Sequence, residues 1–250
     1  MNESSKSDFD DTQKYINFPI SILKCPLIDE NGKQIYNIVK VISNIWCYGC
    51  YAHTANLEGD KESKIQEANN FYGVTFNSNF FDVGRQLFSE VPLNYPKAGI
   101  SLSMLREFSV EFKTEFEKET FLAFCAIRSI LQKQAYYCIT KDYFVARMAG
   151  FPSSKHVNNA PAHIQKYTKR YHFNKMIKEL TKHWGLAAYG NHTYGLYVSF
   201  KLKRKKLGVE AEMLKKRNKD QRECNERKLE NDEIKALVKR MLEGGNKATP

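Results

Sequence analysis

Residues 119–150 read ETFLAFCAIRSILQKQAYYCITKDYFVARMAG, and their pattern decides the fold. Leu122, Ala123, Cys125, Ala126, Ser129 and Ile130 join Phe121 and Phe124 in a helix that is apolar nearly all round. Such a helix is covered on most sides, so it predicts the centre of a domain. Residues 136–139 then read as a short strand. Thr140 stands where an N-cap belongs, ahead of a second helix that Gly150 closes.

The next helical period lies in residues 168–185, TKRYHFNKMIKELTKHWG, with Thr168 as the expected cap and Gly185 as the stop. Phe173, Met176, Ile177, Leu180 and Trp184 fall at helical spacing and commit one face to a core. The opposite face carries Thr168, Tyr171, His172, Lys175, Lys178 and Lys182. Lysines there neutralise phosphates, and a Tyr or His near the helix start reaches base edges or sugar. The plain alternative is a solvated face that happens to be rich in lysine. Residues 186–189 and 194–200 follow as two β-like runs, joined by Gly190, Asn191, His192 and Thr193. Leu196, Val198 and Phe200 alternate with Tyr197 and Ser199, the period of a strand with one buried face. His192 and Thr193 at the tip are expected to touch a phosphate or the minor groove.

This order of elements resembles the winged helix-turn-helix superfamily over residues 119–200, about a third of the chain. The resemblance implies three helices plus a β-hairpin wing, with double-stranded DNA as the partner. It also resembles winged-helix initiators and regulators carried by plasmids and mobile elements. One departure is residues 151–167, longer than the usual tight turn between the second and third helices. Pro152, Ser153, Ser154, Asn158, Asn159 and Pro161 predict a loop there, with a short extra helix around residues 163–165.

Charge is distributed unevenly. The chain has 250 residues and a formal net charge of +11. Residues 1–100 hold 9 Lys/Arg and 12 Asp/Glu, whereas the remaining 150 residues hold 30 and 16. The positive excess therefore sits with the predicted DNA-facing region and the tail behind it, which favours an acidic partner. The longest apolar run, residues 121–127, is far short of a membrane span, and the N-terminus has no signal-peptide pattern. A cytoplasmic location is expected. Six scattered cysteines fit free thiols in a reducing compartment.

Around this core, residues 1–14 are expected to be disordered and residues 15–91 to form a helical N-terminal domain. Residues 92–100 read as a linker, 101–202 as the winged-helix domain, and 203–250 as a charged tail. In the N-terminal domain an apolar edge segment over 15–25 precedes helices at about 33–54, 61–72 and 77–88. The low charge of these helices favours contact with protein over DNA. In the tail, Lys203, Arg204, Lys205 and Lys206 are expected to act as a phosphate clamp. The mixed-charge stretch to about residue 228 reads as either disordered or an exposed helix. A last amphipathic helix, with Ile234, Leu237, Val238, Met241 and Leu242 on one side, is expected to start at Asn231-Asp232-Glu233 and stop at Gly244-Gly245. It is expected to dock on the body, on a second copy or on another protein.

No catalytic chemistry is legible. There is no GxxxxGK[ST], HExxH or GxSxG. Cys47, Cys50 and His53, with Cys25, offer zinc-ligand types, but they also sit at core spacing and lack a second paired knuckle, so structural thiols are the preferred reading. Tyr167 and Tyr171 resemble the paired tyrosines of rolling-circle nicking enzymes, yet the chain has no His-hydrophobe-His motif. Asp8, Asp10 and Asp11 lie in a tail with nothing to hold a metal. No cofactor and no metal are expected. The sequence points to a mainly α DNA-binding protein, a regulator or site-marking accessory factor. The alternatives are a plasmid or phage replication initiator, and a non-catalytic scaffold for protein assembly.

Overall fold

The computed structural model of the chain describes residues 14–24, 26–28, 34–92, 94–110, 113–191 and 195–245. These residues are mainly helical, with three small antiparallel sheets among them. Strand β1 (Tyr15–Pro19) runs into a 3-10 turn at Ile20–Leu23, and β2 (Pro26–Ile28) pairs with β3 (Gln34–Tyr36). Helix α1 (Ile38–Thr54) starts later than expected. Ile35 belongs to β3, and the Asn37 side chain caps the helix by accepting from the Lys40 amide at 3.2 Å.

Helices α2 (Lys61–Tyr72) and α3 (Ser78–Ser89) follow, capped by Asp60 and Asn77. Helices α1 and α3 pack at very short range because Gly84 has no side chain. A Cβ built there would lie 2.0 Å from the Cys47 carbonyl oxygen. Trp46 seals the other side of α1. It meets Tyr72 edge-on and donates to the Ser109 hydroxyl at 3.1 Å.

The stretch expected as a linker ends in strand β4 (Lys97–Ser101), which pairs antiparallel with β1 from Tyr15↔Ser101 to Pro19↔Lys97. Helix α4 (Leu102–Val110), absent from the sequence expectation, comes next. One continuous hydrophobic cluster then runs from Ile16 to Val198, with no break at residues 92–100. Tyr95 donates to the Gly150 carbonyl at 2.8 Å, and Gly150 sits at φ +79 against the backbone of the 3-10 turn. The two expected domains thus share a core among the described residues.

Helix α5 (Glu115–Leu131) forms the centre of that core and starts a turn earlier than expected. Thr114 and Glu117 build a capping box: the Glu117 amide donates to Thr114 Oγ1, and the Thr114 amide donates to Glu117 Oε2. Strand β5 (Tyr137–Ile139) and helix α6 (Lys141–Met148) follow, the latter capped by Thr140 as expected. The expected loop folds into a 3-10 turn at Ser154–Asn159, a short helix α7 (Ala162–Gln165) and a second 3-10 turn at Lys166–Thr168.

Helix α8 (Arg170–His183) then leads into β6 (Ala187–Asn191) and β7 (Gly195–Ser199). The sheet order is β5–β7–β6, with β7 paired antiparallel on both sides. The tail is one helix, α9 (Arg204–Gly245), with no restart at Asn231. No glycine or proline interrupts residues 209–243. Ion pairs Glu212–Lys215, Lys219–Glu223 and Asp232–Lys235 lie at helical spacing along it. Among the described residues, no helix is long and apolar enough to cross a membrane.

Candidate nucleic-acid interface

The turn ahead of α8 is held from below. Lys166 Nζ lies 2.6 Å from Glu119 Oε1, and the Tyr167 hydroxyl donates to Glu119 Oε2 at 2.5 Å. Tyr167 and Glu119 are both buried, and burial, followed by the carboxylate at its hydroxyl, pushes Tyr167 well above the usual phenol range. Gln165 braces the same turn by donating to the Asn158 and Ala160 carbonyls. These bonds fix where α8 begins.

They also correct the role of Thr168. The helix cap is Lys169, which makes no side-chain cap, and Thr168 belongs to the preceding turn, its hydroxyl donating to the Gln165 carbonyl at 2.8 Å. Four of the other expected residues are brought together. Tyr171 (73 % exposed), Lys175, Lys178 and Lys182 form one exposed ridge along α8, opposite buried Phe173, Met176 and Leu180. Lys175 lies 4.7 Å from the centre of the Phe116 ring. His172 is half-buried at the edge of the ridge, its ring edge-on to Tyr167 and Tyr171. His192 and Thr193 lie outside the described residues.

Beside the ridge is a groove of ≈ 320 Å³ between α8, the sheet and the start of α9. Its apolar floor includes Ile177, Ala188 and Leu196, and its cations are Arg170, Lys178 and Arg204. No carboxylate lines it, and these three cations make no ion pair among the described residues. Three unpaired cations on low-dielectric walls concentrate positive potential and attract an anion. Arg170 and Asn174, which also lines the groove, were not singled out from the sequence. Their helical positions lie on the flank of the ridge, and only the sheet beside them turns that flank into a groove wall.

Ser199 brings Arg204 to this place. Its hydroxyl is buried, donates to the Ala135 carbonyl at 2.6 Å, and accepts from the amides of Lys201 and Leu202. The chain is thereby turned from β7 straight into α9. Leu207 and Ala211 then dock with Tyr197, supported by Tyr189 and Leu214. Lys203, Arg204, Lys205 and Lys206 are all exposed at the start of α9. Cations at a helix N-terminus oppose the helix dipole, so this end favours an anion.

The cysteines lie elsewhere. Cys47 and Cys50 are buried on α1, and burial pushes their thiols up to about 11 and about 12. His53 stacks on Phe71 with ring centres 3.9 Å apart. No group of three or more His, Cys, Asp or Glu side chains suited to a metal occurs among the described residues, and Cys25 lies outside them. Tyr167 and Tyr171 diverge, one buried and one exposed. No family model, no curated protein and no solved structure matches the chain.

Proposed function

We propose that α5, α6, α8 and the β5–β7–β6 sheet constitute a winged helix-turn-helix that binds double-stranded DNA, with α8 as the helix in the major groove. The observation that carries the reading is the convergence of cations from two elements, α8 and α9, that make no ion pair among the described residues. Lys175, Lys178 and Lys182 form the ridge, Arg170 flanks it, and Arg204 closes the groove from α9. The β5–β7 pairing supports it, because it anchors the hairpin to the helical core as a wing requires. Tyr171 stands one residue from the start of α8, where a helix entering the major groove meets base edges. The protein acts in this reading as a regulator or a site-marking accessory factor, without catalysis.

The test is a titration of the full chain with duplex DNA at two ionic strengths. Phosphate contacts release counterions, so affinity falls steeply with salt, by about 0.9 log unit per contact for each log unit of salt. Replacing Arg170, Lys178 and Arg204 by Ala lowers that slope by about three units. Equal affinity at both salts, or no binding at low salt, turns the reading toward a protein-assembly scaffold.

A further inference from the structure

Among the described side chains of α9, those of its first three turns touch the body and the rest do not. Residues 216–236 are exposed throughout, so about twenty residues of polar helix stand alone in water. An isolated helix of that length is marginal unless something covers it. A pattern is present on its free side. Positions 209, 213, 216, 220, 223, 227, 230 and 234 step by four and three alternately and so form one seam along the helix. This seam lies away from Leu207, Ala211 and Leu214, which face the sheet. Its ends are apolar: Val209, Met213 and Ile234 are 58 %, 50 % and 59 % exposed. Its middle is charged, running Lys216, Asp220, Glu223, Arg227, Glu230.

We infer that this seam pairs α9 with the α9 of a second copy of the chain, antiparallel, about a two-fold axis near Glu223. A parallel pair is excluded by its own charges, since Lys216, Asp220, Arg227 and Glu230 would each meet an identical residue. The antiparallel pair reverses these four clashes and keeps one like pair, Glu223 against its own copy at the axis, where the Lys219 ammonium lies 3.7 Å from each carboxylate. The level of Lys216 faces that of Glu230, the level of Asp220 faces that of Arg227, and the Met213 level faces Ile234. Lys216, Asp220, Arg227 and Glu230 make no ion pair within their own chain among the described residues, so they are available to a partner. The two bodies then stand at opposite ends of the pair, roughly 50 Å apart along the helices.

The experiment is sedimentation equilibrium on the full chain at about 100 µM, a concentration at which mass action reveals a weak dimer. The expected mass is twice the 29.0 kDa of one chain. Arg227→Glu places two carboxylates at each Asp220 level and returns the mass to that of one chain, with the near-ultraviolet circular dichroism of the body, which holds Trp46 and Trp184, unchanged. The charge swap Asp220→Arg with Arg227→Glu restores the pairing and the dimer. A wild-type monomer overturns the inference, as does an Arg227→Glu variant that remains dimeric or a swap that stays monomeric. The readout is mass, so it fails or succeeds independently of DNA binding.

Discussion

The Tyr167 hydroxyl donates to Glu119 Oε2 over 2.5 Å, joining the turn before α8 to the central helix where both residues are buried. Lys166 takes the other carboxylate oxygen from outside. Tyr167→Phe leaves a buried carboxylate oxygen without its donor, at a cost of about 1–3 kcal/mol. Urea denaturation checks this, and an unchanged midpoint would show that the bond adds nothing to stability. Because the turn fixes where α8 starts, the same variant is expected to weaken duplex binding more than its global stability loss explains.

The cations on α8 separate by role. Lys175→Ala, Lys178→Ala and Lys182→Ala each spare folding and weaken binding to all sequences alike, lowering the salt slope by about one unit. Lys175 gives the smallest effect of the three, because its ammonium also lies over the Phe116 ring. Tyr171→Ala flattens the preference between a selected site and a scrambled duplex. Binding that survives loss of the ridge but not loss of Lys203, Arg204, Lys205 and Lys206 would remove α8 as the reader.

Alkaline pH weakens the fold through α1. Burial raises Cys47 from 9.0 to about 11, Cys50 from 9.0 to about 12 and Tyr72 from 10.0 to about 12. A group whose folded-state value is raised contributes fully below its unfolded value and loses that contribution as pH climbs toward the folded one. The contribution of these three groups is therefore constant up to about pH 9 and is lost between pH 9 and 12. In the Cys47→Ala, Cys50→Ala double variant the fall is shallower, whatever the starting stability. Denaturant midpoints measured across that range decide it, and identical slopes in both proteins count against the assignment.

Arg147 predicts a gain. It is 5 % exposed, its Nη2 donates to the Tyr143 hydroxyl, and its Nε and Nη1 have no partner among the described residues. A buried, under-satisfied guanidinium is costly, and an apolar side chain of similar length removes the desolvated charge. Arg147→Met is expected to raise stability by about 1 kcal/mol or more. A lower melting temperature would mean that the guanidinium has an anionic partner in the folded protein.

Residues 119–200 were legible because their order rests on local periods. The apolar α5, the Thr140 cap and the alternation in β7 each show within a dozen residues. The pairing of β1 with β4 did not show, since its two halves lie far apart in the chain and carry no shared local pattern. Ile35 fell at helical spacing with Ile38, Ile42 and Ile45, which hid the strand before Asn37. Within the candidate site, the lysine ridge was visible from the helix period alone. Arg170 was not, because its groove exists only once β6, β7 and α9 stand beside α8. The continuity of α9 was missed because Asn231-Asp232-Glu233 has the composition of a helix start. In the structure Asp232 instead pairs with Lys235 one turn on, within an unbroken helix.

The corner at Ser199 has a mechanical meaning. One buried hydroxyl ties the end of β7 to the first residues leading into α9, and β7 is the strand bonded on both sides. A rod of 42 residues, about 63 Å long, is thus welded to the middle of the sheet rather than hung from its edge. A load at its far tip acts as a lever on β7, and β7 shares a groove with α8. Whatever grips the distal end of this helix can therefore twist the surface that the β6–β7 hairpin and α8 present.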